Sequence, residues 1–267
     1  MFPVCPHRNA LISSVSLPHS AILAAVPWMP GNGALHGAIF DRLMGWNLAI
    51  LLALFLLAHL LLIAALLRRG AASASSAAKI PSLLTKWLPL AGLCVLYVWM
   101  AVTAERLWAA DRFAGPAPAS MQVEVTGVQF QWYFRYPGQD AAFGATRPRL
   151  IDAAGGNPLG IDPADPRGHD DVISSVLELP AGREVDLRLR SQDVIHGLFI
   201  PGMRLKQNAV PGMVLHVHFT LQQPGSYAIL CSQVCGMGHA RMQATLRVVP
   251  PAEFDRWLST REHAVSR

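Results

Sequence analysis

Leu48 to Leu67 reads LAILLALFLLAHLLLIAALL and carries no formal charge. A second apolar run, WLPLAGLCVLYVWMAVTA, extends from Trp87 to Ala104. At about 1.5 Å per residue, helices of these lengths cross a hydrocarbon core of roughly 30 Å. Arg68 and Arg69 stop the first run, and Glu105 and Arg106 close the second. Pro89 falls in the first turn of the second run, where a missing N–H is tolerated. The loop between the runs holds Arg68, Arg69, Lys79 and Lys86 and no acid. By the positive-inside rule that loop is cytoplasmic, and everything after Asp111 lies outside. His59 is the one ionisable group in the first run; an intramembrane imidazole is a functional suspect, with neutral packing against a neighbouring subunit as the plainer reading.

Residues 1–45 are poorly patterned. Ala10 to Trp28 is weakly apolar but broken by Pro18, His19 and Pro27, so it reads as an extra-membrane tail rather than a cleaved signal. The plan is then a tail over 1–45, a two-helix hairpin over 46–110 and an outer domain over 111–267. Composition agrees: 52% hydrophobic and 15% charged residues fit a chain that is part membrane and part globular.

The net charge of +5 sits at the membrane end. Seven of the 22 Lys and Arg precede Asp111, against two of the 17 acids, so the outer domain carries fifteen of each. The basic total therefore gives no support for nucleic-acid binding, which needs a basic face on the folded domain. Four cysteines are too few for a disulfide scaffold.

Past a Pro-rich hinge at Ala114–Ser120, period-two alternation marks half-buried strands. It occurs at Met121–Val125, at Val185-Leu187-Leu189 against Asp186-Arg188-Arg190, and at Val214–Phe219, Tyr227–Cys231 and Ala244–Val248. Pro-Gly turns at Pro201, Pro211 and Pro224 separate short strands, which suggests a Greek-key β-sandwich or barrel. Residues 138–172 form a Gly/Pro/Asp-rich insertion without strand pattern, and Pro251–Ser259 reads as a closing helix.

The chemistry lies in Cys231-Ser-Gln233-Val-Cys235-Gly-Met-Gly-His239-Ala-Arg-Met242, with His196 on an earlier strand end. Two thiols, two imidazoles and a thioether form a soft set that selects copper. Two thiolates on one loop can bridge two copper ions, each capped by a histidine, with Met242 on one and the Gln233 carbonyl on the other. A plain disulfide gives no reason for His196, His239 and Met242. A structural zinc site has no use for Met242. Covalent haem needs a C-x-x-C-H run, which is missing from the sequence. His216 and His218 share a strand face and read as surface histidines rather than a second metal site.

The pattern C-S-x-x-C-G-x-x-H-x-x-M resembles the binuclear copper domain, CuA, of cytochrome c oxidase subunit II. Asp193-Val194-Ile195-His196 and Leu205-Lys206-Gln207-Asn208-Ala209-Val210-Pro211-Gly212 belong to the same resemblance, which covers roughly residues 40–260. It implies an all-β, cupredoxin-like Greek-key domain after the two transmembrane helices. It also implies copper ligation by His196, Cys231, Cys235, His239 and Met242, and by the backbone of Gln233. Implied too are a bacterial plasma membrane with the β-domain on its periplasmic face, partnership with haem-copper oxidase subunits I and III, and electrons arriving from cytochrome c or a tethered cytochrome. Through such a subunit, electrons reach haem in subunit I, where oxygen is reduced to water and protons are pumped; this chain alone catalyses nothing.

Three departures from the family stand out. Gln233 replaces a common Glu whose side chain helps hold magnesium at the subunit I contact, which puts that ion in doubt. Phe130 stands where a tryptophan associated with electron uptake is usual, and Trp132 matches the next tryptophan. No acid occurs between Ile80 and Leu90, where many relatives carry a glutamate that feeds a proton path. Other functions fit less well. A copper-delivery module needs neither the hairpin nor the carbonyl-plus-Met set, a quinol oxidase subunit lacks the ligands, and nitrous oxide reductase needs a large further domain.

Overall fold

The computed structural model of the chain describes residues 29–69, 81, 86–112 and 115–265. The weakly apolar stretch Ala10–Trp28 and most of the basic loop, Lys79 included, lie outside the described residues. Two helices come first, α1 (Gly37–Arg69) and α2 (Leu88–Arg112). Both are long and apolar enough to cross a membrane, and neither apolar window is buried among the described residues. α1 starts eleven residues before the apolar run, because Gly37–Asn47, which carries Asp41 and Arg42, continues the helical backbone. Its 33 residues reach about 50 Å, well beyond one hydrocarbon core. His59 Nδ1 donates to the Phe55 carbonyl at 2.8 Å and the ring lies against the Phe55 ring, a local arrangement within one helix.

The outer domain has ten strands: β1 (Met121–Val128), β2 (Gln131–Tyr136), β3 (Val172–Ser174), β4 (Val176–Pro180), β5 (Glu184–Ser191), β6 (His196–Ile200), β7 (Leu205–Ala209), β8 (Leu215–Thr220), β9 (Gly225–Cys231) and β10 (Gln243–Val249). They form two five-stranded sheets in the orders β3-β2-β1-β5-β8 and β4-β10-β9-β6-β7. Each sheet contains one parallel pair, β1 with β5 and β4 with β10. Such pairs need long crossovers, which here carry the chain from one sheet to the other between β3 and β4, β4 and β5, β5 and β6, β7 and β8, and β8 and β9. The core between the sheets holds Val123, Val125, Leu187, Leu189, Leu198, Ile229 and Leu246, all fully buried. Each aliphatic side chain of this kind contributes about 1.5–3 kcal/mol of transfer free energy. A last helix, α3 (Pro251–Val265), closes one end by setting Phe254 and Trp257 against Tyr136.

β1 departs from the alternation read in its sequence, because both of its faces are covered. Glu124 and Thr126 are buried along with Val123 and Val125. The cover on the outer face comes from the insertion. Arg135, 1% exposed, forms ion pairs with Asp171 and, at 3.6 Å, with Glu124. It also donates to the Gly144 carbonyl at 2.6 Å. Arg190 reaches the other oxygen of Glu124 at 3.0 Å, and the Phe143 ring lies under both Arg135 and Arg188. Buried charges persist only when paired in this way. The insertion itself contains two short 3-10 turns, at Pro148–Leu150 and Pro166–Gly168, and bridges Thr146 to Ile161 and Asp152 to Asn157.

Candidate metal centre

Four loops meet at one end of the sandwich. β9 delivers Cys231 at its last position, and β6 begins at His196. Antiparallel pairing sets Leu198 opposite Cys231, and the Ser232 amide donates to the Gly197 carbonyl at 2.8 Å. The chain then loops over and returns at Met242, whose carbonyl accepts from the Cys231 amide at 3.1 Å. A 3-10 turn at His239–Arg241 aims His239 back at the cysteines. Residues far apart in sequence thus converge because β6 begins beside the end of its antiparallel neighbour β9 in one sheet.

Cys235 is the hub. Its Sγ lies 3.8 Å from Sγ of Cys231, 3.8 Å from Nδ1 of His239 and 3.7 Å from Sδ of Met242. The Gln233 carbonyl oxygen lies 3.2 Å from Sγ of Cys231, while the residue as a whole is exposed to solvent. A ring nitrogen of His196 lies within 4.8 Å of both cysteine sulfurs. The fold therefore gathers His196, Cys231, Gln233, Cys235, His239 and Met242 around one point. Met242 and His196 are fully buried, Cys235 is nearly so, and Cys231 is partly open.

The two nitrogens of His196 are treated differently. Nε2 meets Oδ1 of Asp193 at 2.7 Å, whereas Nδ1 is buried without a hydrogen-bond partner. A carboxylate on one ring nitrogen and nothing on the other is the arrangement of a metal-binding imidazole, whose tautomer is fixed from behind. Burial alone drives the Asp193 carboxyl up, but hydrogen bonds from His196 and from the Gln129 and Val194 amides outweigh it. Asp193 therefore titrates below the ordinary range and stays ionised. Burial, reinforced by the neighbouring Cys231, pushes the Cys235 thiol up to about 11. A metal ion entering here displaces protons from sulfur, and its affinity rises with pH.

Trp132 and Phe130 occupy different depths. Trp132 is 1% exposed and meets the His196 ring edge-on at a centroid distance of 5.8 Å. Phe130 is 38% exposed, and its ring lies against the cysteine loop, where a Cβ on Gly238 would stand 2.3 Å from it. His216 pairs with Asp186 at 2.8 Å on the other sheet, and neither it nor His218 joins the metal cluster found among the described residues. Two supporting groups escaped the reading of the sequence. The Gln129 side chain donates to the Cys235 carbonyl at 2.5 Å, and Ser232 Oγ donates to the Gly197 carbonyl at 3.3 Å. Gln129 lies 106 positions before Cys235, and a glutamine beside a turn carries no signal of its own.

The sequence profile described as the periplasmic domain of cytochrome c oxidase subunit II matches residues 121–249. The alternative cytochrome c oxidase subunit 2 of Bradyrhizobium diazoefficiens is 39% identical over 145 residues, 54% of this chain and 51% of that one. Cytochrome c oxidase subunit 2 of Cereibacter sphaeroides is 26% identical over 196 residues, 67% of this chain and 63% of that one. The crystal structure of the periplasmic domain of subunit II of cytochrome oxidase from Bradyrhizobium japonicum aligns at 25% identity with a TM-score of 0.42, covering 57% of this chain and 99% of the other. The chain thus spans about half the length of the Bradyrhizobium diazoefficiens relative. The profile covers all ten strands and the whole ligand loop, from the first residue of β1 to the last of β10, so the β-domain of this chain matches the periplasmic domain of the cytochrome c oxidase subunit II family.

Proposed function

We propose that this chain is the electron-accepting subunit of a cytochrome c oxidase, held by two membrane-spanning helices with its β-domain on the periplasmic side. The observation that carries the reading is the buried, unpartnered Nδ1 of His196 beside two thiols, a second imidazole, a thioether and the Gln233 carbonyl. A lone imidazole nitrogen at zero exposure is costly unless something binds it. The donor set suits a pair of copper ions held by His196, Cys231, Cys235, His239, Met242 and the Gln233 carbonyl. Such a copper pair supplies a one-electron carrier.

The surrounding residues keep that carrier rigid and dry. Asp193 holds the His196 tautomer, Gln129 ties down the Cys235 peptide, and Trp132 forms an apolar floor behind the imidazole. A rigid ligand frame keeps geometry change small when charge changes, which favours electron transfer over substrate chemistry. Phe130, at the surface against the cysteine loop, is where a cytochrome donor makes contact; Trp132 lies too deep to be touched. Electrons pass on to haem in subunit I, where oxygen is reduced and protons are pumped, with subunit III as a further partner. Gln233 offers no carboxylate to a magnesium ion at the subunit I contact.

Metal analysis and spectroscopy of the copper-loaded chain test this reading. The expected product holds two copper ions per chain, is purple when oxidised and gives a mixed-valence electron spin resonance signal. One copper per chain, or zinc alone, overturns it.

A further inference from the structure

The segment ahead of the first membrane run is tied to the β-domain. The Gly33 amide donates to the Gly202 carbonyl at 2.8 Å, and the Gln222 amide donates to the Gly33 carbonyl at 2.8 Å. The Leu35 amide donates to Thr220 at 3.0 Å, and Ala34, fully buried, pairs antiparallel with Leu221. The segment therefore extends the chain edge beyond β8 and also grips the turn that follows β6, so that it touches both sheets. A few residues on, within α1, Asp41 accepts two hydrogen bonds from Arg204, from Nε at 2.7 Å and from Nη2 at 3.0 Å.

Arg204 occupies a costly backbone position. Its φ is 53° and its ψ 31°, the left-handed region that glycine adopts freely and other residues avoid. A strained residue persists where its surroundings over-determine it. Here the guanidinium fork matches the Asp41 carboxylate, and Nη1 also donates to the Pro201 carbonyl at 2.8 Å. Only 11% of the Arg204 side chain is exposed.

These contacts lie at the end of the sandwich away from the ligands. β8 sets Leu215 opposite Leu189 near the metal centre and Thr220 opposite Glu184 at the far end. β6 carries His196 at one end and leads to Arg204 past the other, across about 17 Å of strand. The linker from α2 reaches the same far end, where the Ala117 amide donates to Glu184 at 3.1 Å. One attachment at that end leaves a domain free to swing about it; two attachments fix its tilt. Swinging moves the metal end most, because that end is farthest from the pivot.

We propose that Asp41 and Arg204 are positioning residues that clamp the β-domain to the first membrane helix and so set the distance from the metal centre to the electron acceptor in the membrane. The inference rests on the electron-transfer function proposed above. Electron tunnelling slows steeply with distance, so a changed tilt alters the onward transfer without touching any ligand.

The test uses the intact oxidase complex carrying Asp41→Asn, Arg204→Gly, or the exchange of Asp41→Arg with Arg204→Asp. Arg204→Gly removes the clamp while placing the favoured residue in the left-handed position, so it separates clamping from folding. For each variant the copper spectrum, the rate of reduction by the donor and the flash-induced transfer from copper to the next acceptor are measured. The expected result is an unchanged spectrum and donor step, onward transfer slowed about tenfold in both single variants, and recovery to within a few-fold of the original in the exchange. Onward transfer unaffected in the single variants overturns the clamp. So does slowing that is matched by loss of the copper spectrum, or an exchange no faster than the single variants. An unsubstituted complex whose copper is never reduced by the donor instead overturns the electron-transfer function.

Discussion

Cys235 is the residue on which the centre turns, since its sulfur is within 3.8 Å of Cys231, His239 and Met242 at once. Gln233 contributes through a carbonyl, and its side chain is in solvent. The two positions therefore respond differently to substitution. Cys235→Ser replaces a soft bridging sulfur with a hard hydroxyl and is expected to abolish the mixed-valence signal. Gln233→Ala keeps the carbonyl and is expected to retain both copper ions with a small spectral shift. Metal content and electron spin resonance of the two variants decide the matter; equal loss of copper in both would show that the Gln233 side chain is the ligand. Four of the side-chain ligands were legible in the sequence because they lie within twelve residues and share a softness that few other sites need. His196, far from that run, was legible as a second imidazole on an earlier strand end that completes the soft set, and the roles of Asp193 and Gln129 emerge from hydrogen bonds that no spacing encodes.

At the scale of elements, alternation located strands but did not tell which of their faces are covered. β5 alternates Val185, Leu187 and Leu189 with Asp186, Arg188 and Arg190, and its sequence reveals it. β1 lies in mid-sheet under the insertion, so Glu124 and Thr126 are as buried as their apolar neighbours and the two-residue period says little. β7 (LKQNA) is polar because it is an edge, and it passes for a loop until its pairing with β6 is seen. β1 also comes very close to the metal centre. A Cβ on Gly127 would stand 2.7 Å from the His196 ring, closer than such atoms approach. Gly127→Ala is therefore expected to push that ring off its position, at a cost of about 1–3 kcal/mol for overfilling. Denaturation of the copper-loaded and copper-free chain separates the effects. The loss is expected to be larger with copper bound, because the displaced imidazole is a ligand; equal losses in both forms would mean that the methyl group disturbs only the sheet.

Over the whole molecule, charge is distributed so that a donor is drawn in weakly. The outer domain carries as many acids as bases, and the sequence suggests a local acidic run at Asp162, Asp165, Asp170, Asp171 and Glu178. In the fold that run is largely neutralised from within and from outside the stretch. Asp162 pairs with Arg147, Asp165 with Arg167, Asp171 with Arg135 and Glu178 with Arg247. Those arginine partners hold the Asp162 and Asp165 carboxyls below their ordinary range, so both remain charged and paired at neutral pH. Meanwhile the loops at the metal end expose Phe130, Val194, Ile195, Met213, Val234 and Met237. A donor landing there meets mostly apolar surface, with few fixed charges to guide it from afar. Charges that remain act over about 8 Å at physiological salt, against some 30 Å in dilute buffer. Where steering is strong, that change lowers association steeply; where apolar contact dominates, it changes little. The expected outcome is a shallow fall in the rate of reduction by a basic cytochrome c between low and physiological salt. A tethered donor fits the same surface, since its high effective concentration replaces attraction at a distance. Stopped-flow reduction across a range of ionic strength makes the measurement, and a steep loss of rate would mean that an acidic patch guides the donor after all.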